Sequence, residues 1–381
     1  MKNITIYHPH KIVFGEKSSG MLEKEYVDLG YRRLYIITIP EVFDQFSACF
    51  NTLKSNGISI EVNKSIRKEP SFSDFKDLIA EARAFNPESI AGIGGGSVMD
   101  VAKLLAALLQ ADQTPESVVG SGLIKERKIH LVCIPTTSGT GSEMSPNAIL
   151  SDEDSGTKKG IISHFLVPDA AFIDPKLTFS LPSEVTAYTG MDALTHCIEA
   201  YANRNSHPVI DRVAIEGIRL IGKSLRQAFH DGHDAEARSD LSLGSMYGGM
   251  CLGPVNTAAV HALAYPLANN YRIAHGISNA LLLPYVMEFN VGYGISRYND
   301  IALALGVEEK KTKRETAMAG IGFIRKLIDE CKLPSRLFHC GISSDTIDEM
   351  ALMAFNTQRL LQNNIRELNI NDIRTIYRMA S

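Results

Sequence analysis

One aspartate and three histidines in the second half of the chain have the types and spacing to do chemistry. Asp192 and His196 are four residues apart, so on a helix they lie on one face. His261 and His275 follow in the segments Val-His-Ala-Leu-Ala-Tyr and Ala-His-Gly-Ile-Ser-Asn. A histidine read alone is more often structural, but one carboxylate with three imidazoles can complete the inner shell of Fe²⁺ or Zn²⁺. We therefore expect these four residues to form one divalent metal site.

A glycine-rich turn in the first half has the features of a phosphate site. It joins a predicted strand at 90–93 to a predicted helix at 98–109 through three consecutive glycines, 94–96. Glycines let the backbone approach a ligand closely and adopt positive φ, and the first amides of the helix then face that ligand. Ser97 and Asp100 fit a capping box. Because serine replaces the third glycine of Gly-x-Gly-x-x-Gly, an ordinary strand-to-helix turn is the alternative to a dinucleotide pyrophosphate site.

A second loop of small residues, Pro-Thr-Thr-Ser-Gly-Thr-Gly-Ser-Glu at 135–143, follows a predicted strand at 129–134. It offers hydroxyl groups and bare backbone. Ligands of parallel sheets bind at the carboxyl ends of the strands, so we expect both loops to lie at one sheet edge. Lys158 and Lys159 follow the next turn and either neutralise phosphate charge or are solvated surface lysines.

The elements that must position these residues change in kind along the chain. Strand-like runs cover 34–38, 58–62, 90–93 and 129–134, and helix-like segments between them cover 43–53, 71–85 and 98–109. This alternation is typical of a parallel sheet covered by helices on both faces. From about Ser183 helical periods dominate, at 183–202, 208–229, 238–251, 279–290 and 316–331. We expect an α/β dinucleotide-binding domain over 1–180 and an all-helical metal- and substrate-binding domain over 181–381.

Composition narrows the class of protein further. The 381 residues are 45% hydrophobic and 22% charged, with a formal net charge of −4, as in ordinary globular proteins. Nothing in the charge pattern indicates a nucleic acid or an anionic membrane as partner. The start has no apolar signal segment and no run is long enough to span a bilayer, so we expect a cytoplasmic protein. The six scattered cysteines form no Cys-x-x-Cys pair, which argues against a disulfide framework and a thiolate zinc site.

The motifs together resemble those of the iron-containing, group III alcohol dehydrogenases. They occur in the order that the family shows and extend from the first strands through the helical half. The segments that carry the resemblance are Gly-Gly-Gly-Ser-Val-Met-Asp-Val-Ala-Lys (94–103), Pro-Thr-Thr-Ser-Gly-Thr-Gly-Ser-Glu (135–143), Gly-Met-Asp-Ala-Leu-Thr-His-Cys-Ile-Glu-Ala-Tyr (190–201), His-Ala-Leu-Ala-Tyr-Pro-Leu (261–267) and His275-Gly276.

This resemblance implies an NAD(P)-dependent oxidoreductase with a Rossmann-like domain followed by a helical domain, the architecture that dehydroquinate synthase-like enzymes share. It assigns the metal to Asp192, His196, His261 and His275, and favours Fe²⁺, although the ligand set also accepts Zn²⁺. It also implies a small-molecule alcohol or aldehyde as substrate and a homodimer as assembly. The positions that match the family's cofactor contacts are Gly94, Gly95, Gly96, Ser97, Asp100, Thr136, Thr137, Thr140 and Lys158.

Two positions depart from the family pattern. Members with an acidic residue after the second strand use it to bind the adenosine ribose, but Ile37-Thr38-Ile39-Pro40 has no carboxylate, so NADP is not excluded beside NAD. Many members carry a histidine where this chain has Tyr265, the candidate catalytic residue. Phenols titrate near pH 10 and imidazoles near 6.5, so a tyrosine is the poorer proton carrier at neutral pH. Protons then leave through ribose hydroxyls and water, or Tyr265 only shapes the pocket.

The expected reaction is reversible hydride transfer between a small alcohol and NAD(P), giving an aldehyde or a ketone. Three alternatives remain at this stage. Glycerol dehydrogenase-like and maleylacetate reductase-like enzymes share the architecture, and the segment 38–40 resembles the latter group. A non-catalytic regulator that binds a nucleotide or metal on the same fold would bind cofactor without turnover.

Overall fold

The computed structural model describes residues 3–66, 70–153 and 157–381. The chain divides into two compact units. The α/β unit comprises Ile6–Thr137 and Gly141–Phe179. The helical unit comprises Ser180–Ser381, the N-terminal segment that ends at Thr5, and three residues of the second small-residue loop, Ser138–Thr140.

The α/β unit contains a six-stranded sheet in which every pair of neighbouring strands is parallel, in the order β1-β9-β6-β4-β2-β3. A smaller sheet has the order β5-β8-β7. The strands are β1 Lys11–Phe14, β2 Arg33–Ile37, β3 Ser59–Asn63, β4 Ser89–Gly94, β5 Gly120–Ser121, β6 His130–Pro135, β7 Asn147–Asp152, β8 Thr157–Ile162 and β9 Ala170–Ile173. The α-helices of this unit are α1 Leu22–Leu29, α2 Pro40–Phe43, α3 Ser47–Ser55, α4 Phe72–Phe85 and α5 Gly96–Leu108.

Two hydrophobic cores lie on opposite faces of the large sheet because side chains alternate along each strand. Tyr35 and Ile37 of β2 pack with residues of α4 and α5 in one core. Leu34 and Ile36 of the same strand pack with residues of α1 and α3 in the other. A parallel sheet buried on both faces explains why its strands read as continuous apolar runs.

The helical unit contains α6 Ser183–Tyr201, α7 Pro208–His230, α8 Ala235–Leu252, α9 Ala259–Tyr271, α10 His275–Asn290, α11 Ile295–Ala304, α12 Lys313–Glu330, α13 Ile347–Phe355, α14 Gln358–Leu361 and α15 Ile370–Ala380. Helix α6 packs against α7, α8 and α10, and every residue from 190 to 201 is buried. A central helix of this kind is normally apolar throughout, so a polar side chain in it must have a partner or a function. No helix in the described part of the chain is both long and apolar enough to cross a bilayer.

The predicted architecture is confirmed. The bounds of the four predicted strands differ by one residue at each end from those of β2, β3, β4 and β6. Ser71 caps α4 through a capping box with Asp74. The predicted helix over 43–53 is wrong in extent, because α2 ends at Phe43, a turn of 3₁₀ helix follows, and α3 begins at Ser47. The predicted helix over 279–290 begins one turn earlier, at His275.

Gly276, in the first turn of α10, sets the distance between α10 and α6. A Cβ at this position would lie 2.2 Å from the carbonyl oxygen of Tyr188, which is far closer than atoms can approach. The backbone of α10 therefore lies directly against the backbone of α6. His275 is the neighbour of this glycine, so the close approach carries its imidazole towards α6.

We expect Gly276→Ala to destabilise the protein by about 1–3 kcal/mol, because α10 must move away from α6. The matched control is Gly322→Ala in α12, where an added Cβ meets nothing within 4 Å. That variant should gain about 0.5–1 kcal/mol from helix propensity. Thermal unfolding measures both, and equal shifts in Tm for the two variants would contradict the close-approach argument.

Candidate functional site

The four predicted metal ligands come together in the helical unit. Asp192 and His196 lie on α6, His261 lies on α9 and His275 begins α10. The Nε2 atoms of His261, His275 and His196 lie 3.7, 3.8 and 3.9 Å from Oδ1 of Asp192. Three imidazoles from three helices thus surround one carboxylate oxygen.

The spacing of these donor atoms suits a transition-metal cation. Single donor atoms from Asp192, His261 and His275 all lie within 4.8 Å of one another, and the imidazole of His196 stacks on that of His261 with centroids 4.8 Å apart. With bonds of about 2.0–2.2 Å, ligands of a tetrahedral ion lie roughly 3.3–3.6 Å apart. The separations of 3.7–3.9 Å between Oδ1 of Asp192 and the imidazole nitrogens are a few tenths of an ångström wider, and the donor atoms of His261 and His275 lie within 4.8 Å of each other. His275 is the most exposed of the four, with 28% of its side chain accessible, so the cluster is open on that side.

Glu199, one turn after His196 on α6, fixes the orientation of His261. Its carboxylate is buried, with Oε2 2.6 Å from Nδ1 of His261 and Oε1 accepting a 2.6 Å bond from the backbone N–H of Val260. The proton on Nδ1 therefore faces Glu199, and Nε2 is the nitrogen that faces the cluster. Metal-binding histidines are commonly held by a carboxylate in this way, which increases their basicity. Its burial shows that Glu199 is not a solvated carboxylate on an exposed helix face.

Electrostatics in the cluster favour an ionised aspartate. Burial opposes the charge of Asp192, but the three neighbouring imidazoles outweigh it and hold the pKa of this carboxyl well below its usual range. Burial lowers the pKa of His196. Burial also opposes charge on His261, but the neighbouring carboxylates of Asp192 and Glu199 outweigh that effect and raise its pKa to about 9. The carboxylates therefore make the centre of the cluster attractive to a cation.

Asn279, four residues after His275 on α10, places its amide nitrogen at the centre of the cluster. Nδ2 lies 2.7 Å from Oδ1 of Asp192, 3.1 Å from Nε2 of His261 and 3.2 Å from Nε2 of His275. An amide has two N–H groups for these three acceptors, and its own Oδ1 is buried with no hydrogen-bond partner among the described residues. The Asn279 amide can therefore bind only two of the three ligand atoms of Asp192, His261 and His275 at once, whereas a divalent cation could bind all of them. The residues present therefore fit a metal ion.

Tyr265 lies beside this cluster. It is four residues from His261 on α9, and its ring centroid is 6.1 Å from that of His275. Its phenol oxygen accepts a 3.0 Å hydrogen bond from the guanidinium of Arg359. Sequence reasoning missed Arg359 because no spacing rule connects α14 to α9. Asn279 was also missed, although its position one turn after His275 was a usable signal.

The glycine turn has the expected place in the fold, but its geometry differs from the prediction. Gly94 ends β4, and α5 begins at Gly96 without a side-chain cap. None of Gly94, Gly95 and Gly96 has positive φ. Glycine is required instead by close packing, since a Cβ at Gly94 would lie 2.8 Å from the side chain of Val98. The first amides of α5 have no acceptor within the helix, and Gly95 to Ser97 are only partly buried.

The predicted capping box between Ser97 and Asp100 is wrong. Asp100 turns away from the helix start, and its carboxylate accepts bonds from the Ser142 hydroxyl at 2.5 Å and the Ile149 backbone N–H at 3.0 Å. The carboxylate thus ties α5 to the loop after β6 and to β7. Ser97 cannot cap the helix, because α5 already begins at Gly96.

The loop after β6 lies next to the glycine turn, as the sequence predicts. The backbone N–H of Thr136 donates to the carbonyl of Gly94 at 3.0 Å, and Thr137 lies against Gly95. Thr140 belongs to the helical unit. Lys158 lies on β8, opposite Ser151, and Lys159 forms an ion pair with Asp152.

A buried lysine fixes the end of this loop. The ammonium of Lys103 donates to the carbonyl and hydroxyl of Ser142 at 3.0 and 2.9 Å and to the carbonyl of Asn147. Burial lowers the pKa of Lys103, although Asp100 partly offsets this effect. The neighbouring Glu143 is fully buried, and its desolvation raises the pKa of the carboxyl to about 7.

Comparison with known proteins gives a consistent result. The protein-family model described as "Fe-containing alcohol dehydrogenase family, C-terminal" matches residues 186–381. A second family model, described as "Iron-containing alcohol dehydrogenase", matches residues 9–175. The chain is 36% identical over 362 residues to long-chain-alcohol dehydrogenase 1 of Geobacillus thermodenitrificans, covering 92% of this chain and 90% of the relative. The chain belongs to the iron-containing alcohol dehydrogenase family.

Solved structures of similar proteins agree with this assignment. The crystal structure of a 1,3-propanediol oxidoreductase superposes with a TM-score of 0.95 at 28% identity, covering all of both chains. Sulfoacetaldehyde reductase from Bifidobacterium kashiwanohense, solved in complex with NAD⁺, superposes with a TM-score of 0.89 at 25% identity, covering 100% of this chain and 99% of the other. The family resemblance predicted from the motifs is confirmed, and the chain is an NAD(P)-dependent, metal-binding oxidoreductase.

In this chain Thr38 follows the second strand, at the position where some family members carry an acidic residue. Its hydroxyl donates to the carbonyl of Ile93 at 2.8 Å, and the side chain is fully buried. Thr38 is therefore part of the sheet interior and offers no carboxylate for a ribose.

We expect Glu199→Gln to weaken metal binding by about 10- to 100-fold, because glutamine replaces one of the two oxygens that bind the Val260 N–H and the His261 ring with an NH₂ group, which can only donate. The dissociation constant is measured by competition with a chelator. Glu184→Gln, an exposed carboxylate in the first turn of the same helix, is the control and should bind metal as the unmodified protein does. Unchanged affinity in Glu199→Gln would show that Glu199 does not position His261.

A second prediction concerns the pH dependence of stability. The native pKa of Glu143, about 7, lies above its ordinary value of 4.5, so the native state binds a proton that the unfolded chain has released. The contribution of Glu143 to the free energy of unfolding is therefore fully present below pH 4.5 and is lost as the pH rises through 7. Glu143→Gln should therefore match the unmodified protein near pH 5 and exceed its stability by roughly 2–3 kcal/mol at pH 8.

Denaturant unfolding at the two pH values tests this expectation for Glu143→Gln. The control is Glu126→Gln, whose carboxylate is 52% exposed and pairs with Lys128. The stability of the control relative to the unmodified protein should not change with pH. A constant difference for Glu143→Gln across the same range would contradict the raised pKa.

Proposed function

We propose that this protein catalyses reversible hydride transfer between a small primary or secondary alcohol and NAD(P), with Asp192, His196, His261 and His275 holding a divalent cation. The observation that carries the proposal is the convergence of three imidazole Nε2 atoms on Oδ1 of Asp192. Family membership favours Fe²⁺, and the same donor set accepts Zn²⁺. The relatives named above act on a long-chain alcohol, 1,3-propanediol and sulfoacetaldehyde, so the proposed class is alcohols and their aldehydes.

The overall reaction converts the alcohol and NAD(P)⁺ to the carbonyl compound, NAD(P)H and one proton. A cation in this site supplies Lewis-acid polarisation of the substrate oxygen. The chain's own residues keep the donor atoms in place: Glu199 orients His261, and the backbone contact at Gly276 positions His275. The partly exposed side of the cluster, at His275, is where we propose that the substrate enters.

Tyr265 is proposed as the residue that borders the reacting oxygen. Because its phenol oxygen accepts a hydrogen bond from Arg359, its own proton remains available for donation to a substrate or a water molecule. This arrangement supports a positioning role for Tyr265, with the proton of the alcohol leaving through water and ribose hydroxyls.

Cofactor binding is proposed at the glycine turn and the loop beside it. The partly exposed amides at the start of α5, in Gly96 and Ser97, offer donors and a positive dipole end to a pyrophosphate. The two loops are kept in contact by Gly94, Gly95 and Thr136. The other proposed cofactor-binding residues are Thr137, Thr140, Lys158 and Asp100, of which Asp100 acts by holding the loop after β6. NAD is the proposed cofactor, with NADP as the alternative because Thr38 places no carboxylate after β2. We also propose a cytoplasmic homodimer.

The most informative experiment is anaerobic metal analysis of the purified protein with a panel of alcohols and aldehydes, each assayed with NAD and NADP. About one Fe²⁺ or Zn²⁺ per chain and turnover of alcohols support the proposal. A chain that binds cofactor but turns over no alcohol or aldehyde would instead be a regulator on the same fold. Turnover of maleylacetate or glycerol alone would favour those alternatives.

We expect Asp192→Ala and His261→Ala to lose bound metal and alcohol oxidation, while NAD(P) binding largely persists. Each substitution removes one donor of a buried set, and the remaining three cannot hold the cation as tightly. Metal content, kcat and the Kd of the cofactor are measured in parallel. His230→Ala, an exposed histidine at the end of α7, should leave all three unchanged. Full activity in a metal-depleted Asp192→Ala variant would refute the four-ligand site.

A further inference from the structure

The guanidinium of Arg359 projects from α14 and donates to the phenol oxygen of Tyr265 at 3.0 Å. Tyr265 lies one turn from His261 on α9 and stands beside His275. A continuous set of contacts therefore runs from the metal ligands through a tyrosine to an arginine. All of these residues belong to the helical unit.

The backbone that carries Arg359 is firmly held. Its neighbours Leu360 and Leu361 are buried, and its carbonyl accepts a bond from Nδ2 of Asn363 at 3.3 Å. The same Asn363 amide donates to the carbonyl of Thr257 at 2.9 Å, two residues before α9 begins. The start of the arginine side chain is thus fixed relative to the helix that carries His261.

The charge of Arg359 has no carboxylate partner within the described ranges. By contrast, Arg297 pairs with Asp211 at 2.6 Å and Arg374 pairs with Asp348 at 2.7 Å. A guanidinium has five N–H donors, and the bond to Tyr265 uses one of them. The remaining donors of this exposed residue are available to an anion, and a planar fork matches a carboxylate best.

We propose that Arg359, held by its hydrogen bond to Tyr265, binds an anionic group at the end of the substrate remote from the reacting carbon, so that the preferred substrates are short aldehydes and alcohols bearing a carboxylate or a similar anion. This inference rests on the proposed function, since it places the reacting oxygen at the metal ligands. Arg359 then selects among substrates and takes no part in the hydride transfer. A phosphate of the dinucleotide is the other anion with suitable chemistry, and the experiment must distinguish the two.

The test compares 4-oxobutanoate with butanal, which has the same chain length and no charge, in steady-state reduction by the metal-loaded enzyme. The unmodified enzyme should prefer 4-oxobutanoate. Arg359→Gln should raise KM for 4-oxobutanoate by about 10- to 100-fold, as expected for the loss of a charge-assisted hydrogen bond. The ratio of kcat/KM for 4-oxobutanoate to kcat/KM for butanal should therefore fall by a similar factor, whereas KM for NADH and NADPH should not rise. Arg359→Lys, which keeps the charge, should recover part of the loss.

Two further arms make the result specific. Arg226→Gln removes an exposed arginine that pairs with Glu330 on α12, and it should leave the preference unchanged. Calorimetric titration with butyrate and with butyramide measures binding without turnover, and Arg359→Gln should weaken butyrate binding alone.

Several results would overturn the inference. An equal loss on butanal and 4-oxobutanoate would mean that Arg359 only supports Tyr265. A rise confined to the KM of the nucleotide would assign the anion to the cofactor. Reduction of butanal with no preference for 4-oxobutanoate would overturn this inference and leave the proposed function intact, whereas absence of turnover with every aldehyde and both cofactors would refute both.

Discussion

A buried carboxylate on a central helix is the constraint on which the helical unit depends. Asp192 lies where α6 is buried on all sides, and an ionised group there is costly unless donors or a cation surround it. Three imidazoles from α6, α9 and α10 meet this requirement by converging on one oxygen. The contacts that hold α9 and α10 near α6 therefore include the contacts that form the proposed metal site.

The surrounding groups make that arrangement specific. Glu199 binds both the ring of His261 and the backbone before it, so it fixes the rotation of the imidazole and the start of α9 together. In the α/β unit, Asp100 and Lys103 play a comparable part: they hold the loop after β6 through several hydrogen bonds. In both units a buried charge is placed so that it orders a loop or a helix start that carries polar groups.

The fold class could be predicted from the sequence because it depends on local patterns, and the proposed metal ligands were predicted from a spacing on α6 together with the motifs around His261 and His275. Parallel strands buried on both faces appear as apolar runs, and residues at i and i+4 share a helix face, as Asp192 and His196 do. Contacts between distant segments were beyond such rules. The capping box at Ser97 is wrong because α5 begins at Gly96, and the carboxylate of Asp100 instead binds Ser142 and Ile149, which are remote in the chain. Arg359 was missed because only the tertiary packing of α14 beside α9 brings it to Tyr265.

The contact at Gly276 has a consequence for how such enzymes diverge. The separation of α6 and α10 is set by backbone against backbone, with no side chain between them, so it does not depend on the identity of the surrounding core residues. Residues around Tyr265 and Arg359 can then change without altering the spacing of Asp192 and His275. Mutations can therefore change the range of substrates while the spacing of the metal ligands stays constant.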